Sequence, residues 1–174
     1  LDAAPMSSTT LTMAMGDALA VCLMRKRDFK KEDFASFHPG GSLGKQLFVK
    51  VDDLLRKENL PVVSRETKLK DAILVMSEGR LGSVIIENEN KKVIALLSDG
   101  DLRRALMNDN FSMDCKVEDI ATKNPKRLKN KELLASDALQ IIEDYKIQLL
   151  IVTDENDKLV GVLHIHDLIE AGIK

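Results

Sequence analysis

The chain has 174 residues, of which 44% are apolar and 31% are charged, and its formal net charge is −2 at pH 7. This length allows one domain or two small ones, and the apolar fraction is sufficient for a core. Because both signs of charge are interspersed, the composition argues against nonspecific binding to nucleic acid or to an anionic membrane, which needs a basic face. We also expect no membrane span, since no apolar run approaches the necessary length.

The cysteines and the N-terminal residues indicate a cytoplasmic protein. Cys22 and Cys115 lie far apart without metal-ligand spacing, which predicts two reduced thiols and no metal site. No basic segment followed by an apolar one marks a secretory signal. Because the numbered chain begins at Leu1 rather than at Met, we expect it to be a fragment of a longer protein.

The N-terminal stretch predicts one long helix and a loop. Residues 7–10 are Ser and Thr, which favour the N-cap position, and residues 11–24 are apolar almost throughout. A helix that is apolar all round is normally buried between other elements, and the following sequence offers no obvious second layer for it. We interpret it as the last helix of a domain whose earlier part is missing. Residues 33–44 are predicted to form a loop rich in Gly and Pro.

The rest of the chain repeats itself. Residues 51–105 align with residues 117–171 at a constant offset of 66 residues without a gap, so that Ile85 falls on Ile151. Two copies of one supersecondary unit make a pseudo-symmetric pair, and such pairs usually bind a ligand in the cleft between them.

Each copy is predicted to run helix, strand, helix, strand, strand, helix. The strands are apolar nearly throughout, as expected for a sheet that helices cover. The predicted elements are 51–57, 61–64, 69–78, 82–87, 93–97 and 99–107 in the first copy, and 117–122, 126–129, 134–145, 148–153, 159–163 and 165–171 in the second.

Polar residues separate the last strand from the last helix in each copy. They are Ser98 and Asp101 in the first copy, and His164 and Asp167 in the second. A strand that runs directly into a helix offers free backbone N–H groups and a positive dipole end, which suit a phosphate. A carboxylate on the same turn can accept hydrogen bonds from a ribose diol. The pattern therefore indicates a nucleotide site.

Ordinary helix capping explains the same residues. Ser98 and Asp101 have the spacing of a capping box with Asp in place of Glu, and spacing alone favours this reading. The recurrence of the Asp in both copies favours a ligand, although common descent of the copies explains it too. In the second copy His164 replaces the hydroxyl, so phosphate binding there would depend on pH.

The duplicated unit resembles the CBS domain, named for cystathionine β-synthase, and the two copies resemble a Bateman pair. The resemblance rests on residues 97–104, Leu-Ser-Asp-Gly-Asp-Leu-Arg-Arg, and on residues 161–168, Gly-Val-Leu-His-Ile-His-Asp-Leu. It implies an α+β fold with pseudo-two-fold symmetry. It also implies that Ser98 and Asp101 bind phosphate and ribose, and that Asp167 is the second-site counterpart. His164 departs from the motif and weakens or retunes that second site.

The first 46 residues resemble the end of a sugar-isomerase (SIS) domain of the α/β class. The resemblance rests on residues 5–10, 16–20 and 37–44, the last of which include His-Pro-Gly-Gly. In D-arabinose-5-phosphate isomerases such a domain precedes paired CBS domains. The implied domains are an SIS remnant at 1–46, a first CBS domain at 47–112 and a second at 113–174.

These isomerases interconvert ribulose 5-phosphate and arabinose 5-phosphate, which feeds synthesis of the sugar Kdo for lipopolysaccharide. Moving a proton between C1 and C2 through an enediol needs a base, and by the resemblance His38 is a catalytic residue. The residue pattern alone favours a His that fixes a turn. Ser7, Ser8 and Thr9 resemble the tail of the sugar-phosphate region, and helix capping explains them equally well.

The resemblance implies that the parent protein is an isomerase whose CBS pair binds a regulatory nucleotide, without a required cofactor. The candidate ligands are the end product CMP-Kdo, AMP and ATP. Alternatively, the pair is purely an oligomerisation module, or it belongs to another SIS-domain enzyme of sugar phosphates. We expect the fragment alone to be inactive. We also expect no nucleic-acid or membrane partner, and a homo-oligomer: a dimer of CBS pairs, and a tetramer for the full-length protein.

Overall fold

The computed structural model describes residues 5–37, 40–109 and 111–173. Three helices precede the repeat: α1 Met6–Lys26, α2 Lys31–Phe37 and α3 Ser42–Phe48. The first copy contains α4 Val51–Leu54, β1 Val62–Ser64, α5 Leu69–Gly79, β2 Ser83–Glu87, β3 Val93–Ser98 and α6 Asp99–Leu106. The second contains α7 Val117–Ile120, β4 Thr122–Lys123, β5 Arg127–Leu128, α8 Ala135–Tyr145, β6 Leu149–Thr153, β7 Leu159–His164 and α9 Ile165–Glu170.

Helix α1 begins earlier than the sequence predicts, directly after Pro5. The predicted capping residues therefore lie inside the helix. Their hydroxyls donate back to carbonyls of the preceding turn, with Ser8 Oγ 3.1 Å and Thr9 Oγ1 2.6 Å from the Pro5 oxygen. Such back-bonding is the usual arrangement of Ser and Thr within a helix. The N-cap prediction for these residues is wrong.

The loop predicted at residues 33–44 is also wrong for most of its length. Helix α2 covers the first part, because the Asp33 carboxylate accepts a hydrogen bond of 2.8 Å from the Lys30 N–H at its start and Ala35 is fully buried. Helix α3 follows Gly41. His38, the predicted catalytic residue, lies outside the described residues.

The predicted element order of both copies is confirmed, and each copy forms one mixed sheet. Strand β2 pairs in parallel with β1 and antiparallel with β3, and β6 pairs in the same two ways with β5 and β7. The sequence missed β4, which was predicted as the end of a helix. It pairs antiparallel with β3 across the copies, and Arg56 makes the equivalent bridge to Val162 on β7.

The two copies exchange their first helices. Val51, on α4, is fully buried in the core of the second copy, and its N–H donates to the Leu133 oxygen at 2.9 Å. Val117, on α7, is fully buried in the core of the first copy, and its N–H donates to the Thr67 oxygen at 2.9 Å. The predicted boundary between residues 112 and 113 stays a prediction about the chain, since the packing crosses it in both directions.

A third apolar cluster joins the two sheets. Ile85 and Ile151, which the repeat aligns, are both fully buried in it. Its other buried members are Leu81, Val93, Leu149 and Val162. The clefts between the copies are therefore walled by both halves and held in place by this shared core.

Helix α1 has 21 residues and is long and apolar enough to cross a membrane by length and composition. The expectation that no apolar run approaches this length is therefore wrong. None of its residues is buried, and Met13 and Leu19 are 71% and 60% exposed. The core helix of a soluble domain passes the same test of length and composition, so this property does not identify a span.

Candidate functional site

A cleft of about 430 Å³ lies between the two copies where β3 ends and α6 begins. The first copy contributes Gly82, Ser83, Leu96, Ser98, Asp99, Gly100, Asp101, Arg103 and Arg104. The second copy contributes Thr122, Pro125, Lys126, Lys146, Ile147, Gln148 and Leu149. We call this the first cleft. Its volume falls in the range of small-molecule sites, and its lining contains Ser98 and Asp101 of the predicted nucleotide site.

Asp101 is the most tightly held polar residue of the first cleft and is only 7% exposed. Its Oδ2 accepts from the Ser98 N–H at 2.9 Å and from the Ser98 hydroxyl at 2.6 Å, and the Asp101 N–H donates to that hydroxyl at 3.3 Å. Its Oδ1 accepts from Thr122 Oγ1 at 2.9 Å and from Arg104 Nη2 at 2.6 Å. The capping box that the spacing allows is confirmed, and ligand binding by these residues stays a prediction.

Hydrogen bonding keeps the Asp101 carboxyl ionised. Burial by itself raises its pKa, but the bonds from the Ser98 side chain and backbone, Thr122 and Arg104 outweigh burial, so that the pKa lies below its ordinary value. A charged acceptor is therefore present in the wall of the first cleft at neutral pH.

Basic side chains and a short apolar wall complete the first cleft. Arg103 and Lys146 line it, and Lys126 lies with its ammonium 3.9 Å from the centre of the Tyr145 ring. Gly82 adopts a left-handed φ of +59° opposite the start of α6, where a Cβ would lie 3.0 Å from Asp99 Oδ2. The glycine lets the chain approach this helix end closely. The arrangement suits an anion at the rim and a flat apolar group deeper in the cleft.

The equivalent residues of the second copy are arranged differently. His164 is 8% exposed and takes the N-cap position of α9, where its Nδ1 accepts from the His166 N–H at 3.2 Å. Asp167 accepts two bonds from Arg56 of the first copy, 2.8 Å from Nε to Oδ2 and 2.5 Å from Nη2 to Oδ1. We call the region around His164 and Asp167 the second cleft.

Sequence reasoning missed the residues that reach across the copies. Thr122 contacts Asp101, and Arg56 contacts Asp167. The signal was present, because the same offset of 66 residues relates Arg56 to Thr122 and Asp101 to Asp167. Only the sheet pairing across the copies shows that these positions face the carboxylates.

The remaining predicted site residues do not line the first cleft. Ser7, Ser8 and Thr9 are exposed on α1, and His38 lies outside the described residues. Within residues 5–37, 40–109 and 111–173, no group of three or more His, Cys, Asp or Glu side chains is placed to hold a metal ion.

We expect the free energy of unfolding to fall as the pH is lowered below about 6.5, the ordinary pKa of His. Burial lowers the pKa of His164, and the charges of His166 and Arg56 lower it further, against the opposing effect of Asp167. Because the folded state then binds this proton less readily than the unfolded state, protonation favours unfolding. Urea denaturation at pH 7.5 and pH 5.5 measures the difference.

The control for this pH dependence is His164→Asn, which retains an N-cap acceptor without a titrating ring. The variant is expected to lose less stability than the wild type over this range, because the Asp101 carboxyl titrates only at lower pH. An equal loss in both proteins would contradict the assignment to His164.

Comparisons with known proteins identify the repeated unit. The model of the family described as CBS domain matches residues 51–108 and 117–174. A Helicobacter pylori protein described as uncharacterized is 52% identical over 174 residues, which are 100% of this chain and 53% of that protein. The arabinose 5-phosphate isomerases KdsD of Pseudomonas aeruginosa and Escherichia coli are 42% and 39% identical, with coverage of 99% of this chain and of 53% and 52% of theirs. The chain thus spans about half the length of the curated relatives it matches.

Solved structures share the fold of the two copies. The complex of CBSX2 with AMP superposes with a TM-score of 0.62 at 24% identity, covering 71% of this chain and 95% of that one. A Pyrobaculum aerophilum CBS domain protein complexed with AMP gives 0.61 at 21% identity, covering 69% and 90%. At these identities the likeness shows the fold alone. The tandem α+β fold predicted for the repeat is therefore confirmed.

Proposed function

Because the chain belongs to the CBS domain family, we propose that it is a nucleotide-binding regulatory module and that the first cleft is its binding site. The observation that carries this proposal is the cleft itself. Its volume of about 430 Å³ is lined by an ionised Asp101, a helix start and basic side chains from both copies. These are the three features that a nucleotide needs.

Each part of a nucleotide has a complementary part of the first cleft. The start of α6 and the Ser98 hydroxyl offer hydrogen bonds to a phosphate, and Arg103 and Lys146 add positive charge at the rim. Asp101 offers an acceptor to a ribose diol, in exchange for the exposed Arg104 guanidinium, which is on the same helix. Apolar side chains cover a base. They are Leu96, Pro125, Ile147 and Leu149.

The relatives supply the context of regulation. The curated proteins that match the whole chain include arabinose 5-phosphate isomerases about twice its length. We therefore assign the chain to the C-terminal regulatory part of such an enzyme, with residues 1–46 as the end of the sugar-isomerase domain and α1 covered by it. In that assignment His38 serves the upstream active site, and the protein acts in the cytoplasm. The isolated chain then lacks isomerase activity.

Regulation requires the ligand to bind two conformations of the enzyme with different affinity. The fold neighbours solved with AMP favour an adenine nucleotide, and the pathway logic of an isomerase that feeds Kdo synthesis favours its end product, CMP-Kdo. ATP is the remaining candidate.

We expect one of these nucleotides to stabilise the chain. A ligand at about 100 times its Kd adds roughly 2.7 kcal/mol to the free energy of unfolding. Thermal unfolding with CMP-Kdo, CMP, AMP, ATP and S-adenosylmethionine measures the gain. Asp101→Asn is expected to lose it, because the amide replaces the ionised acceptor at nearly constant shape.

The matched control is Asp137→Asn, which makes the same change at the same turn of α8, on an exposed position outside the first cleft. Since Asp101 also caps α6, each variant is compared with its own ligand-free form. If no nucleotide raises the unfolding temperature of the wild type, the sensor proposal fails. The module would then serve the oligomer alone, the alternative that the exposed apolar side chains of α1 favour.

A further inference from the structure

The second cleft contains an ion pair that the first cleft lacks. The Arg56 guanidinium donates two parallel hydrogen bonds to the Asp167 carboxylate, one to each oxygen. The main chain of Arg56 is also fixed, because its N–H and its carbonyl both pair with Val162 at 3.0 Å. The Arg56 side chain therefore starts from a rigid position on the edge of β7 and points to the carboxylate across the copies.

The repeat makes the comparison between the clefts direct. Arg56 stands where Thr122 stands in the first cleft, and Asp167 stands where Asp101 does. Thr122 donates one bond from a small neutral hydroxyl, whereas Arg56 donates two from a charged planar group. Charge-assisted bidentate bonds are roughly twice as strong as neutral ones. A ribose diol, which is neutral, competes poorly with such a partner for Asp167.

The environment of the pair strengthens this difference. The Asp167 side chain is 15% exposed, so its carboxylate depends on Arg56 for charge compensation. The neighbouring His164 is buried, and its ring lies 5.1 Å from that of His166. A phosphate therefore meets imidazole rings where the first cleft offers the Ser98 hydroxyl.

We infer that the Arg56–Asp167 ion pair closes the second cleft to nucleotides, so that each chain binds one nucleotide, in the first cleft. This inference rests on the proposed function and adds the residue that sets the stoichiometry. The pseudo-symmetric fold builds two clefts, and one side chain removes the second from use.

Isothermal titration of the whole 174-residue chain with AMP tests the stoichiometry. The wild type is expected to bind one equivalent per chain. Arg56→Thr, which gives the second cleft the residue of the first, is expected to bind two. In the double variant Arg56→Thr/Asp101→Asn one equivalent remains, because only the second cleft is then intact. Arg56→Gln keeps the length of the side chain without its charge and is expected to bind two as well.

The matched control is Arg65→Thr. Arg65 makes a comparable bidentate pair with Glu118 across the copies, with bonds of 2.8 and 3.1 Å, and it does not line the first cleft. This variant is expected to bind one equivalent, as the wild type does, and circular dichroism verifies the fold of each variant.

Three results overturn the inference. The first is two equivalents in the wild type. The second is a single equivalent in folded Arg56→Thr and Arg56→Gln. The third is a second equivalent that requires His164→Ser in addition, which assigns the closure to His164. If none of the proteins binds AMP, the first cleft is not an AMP site, and both the proposed function for this nucleotide and the inference fail.

Discussion

Ile151→Ala is expected to lower the free energy of unfolding by about 2–5 kcal/mol, the range for deleting a large aliphatic side chain from a core. Ile151 is fully buried in the cluster that joins the two sheets, where Ile85 is its counterpart. The surrounding side chains come from both copies and from strands pinned by backbone pairing, so they can close the cavity only in part. Urea denaturation followed by circular dichroism measures the loss.

The control is Ile169→Ala on α9, where the same side chain is 52% exposed. A surface change of this kind is expected to stay within about 0.5 kcal/mol. Because the shared cluster couples the copies, Ile151→Ala is also expected to unfold in a single transition. Two separate transitions would show that the copies are independent, which the exchange of α4 and α7 argues against.

Gly161→Ala is expected to lower the free energy of unfolding by about 1–3 kcal/mol, as overpacking does. A Cβ at Gly161 would lie 2.5 Å from the Arg56 carbonyl oxygen and 2.7 Å from Leu55 Cγ. Because a backbone atom is among the contacts, the segment around Arg56 must move as a whole. That movement breaks its pairing with Val162 and displaces the guanidinium from Asp167.

Gly16→Ala is the control for the added methyl group, since nothing lies within 4 Å of its Cβ position. In the interior of α1 the alanine is expected to be neutral or to stabilise by up to about 1 kcal/mol. Equal stability of Gly161→Ala and the wild type would mean that the Arg56 segment shifts freely. The closure of the second cleft by Arg56 would then lose its rigid basis.

The sequence predicted the parts of the fold that depend on local patterns. The offset of 66 residues, the apolar periodicity and the turn residues gave the element order of both copies. Ser98 and Asp101 were placed on one turn of α6 because a capping box involves residues only three apart. The N-terminal predictions were weaker, since the hydroxyls of Ser8 and Thr9 have local carbonyl partners within the helix as well as at its start.

The sequence by itself determined that two similar units carry Asp101 and Asp167 at the start of their last helices. Only the tertiary structure decided how the two sites differ. Thr122 reaches Asp101 and Arg56 reaches Asp167 because each sheet is completed by a segment of the other copy. Contacts between residues so far apart in the chain leave no periodic signal. The physical distinction between an open and a closed cleft, one hydroxyl against one guanidinium, therefore became visible only when the copies were paired.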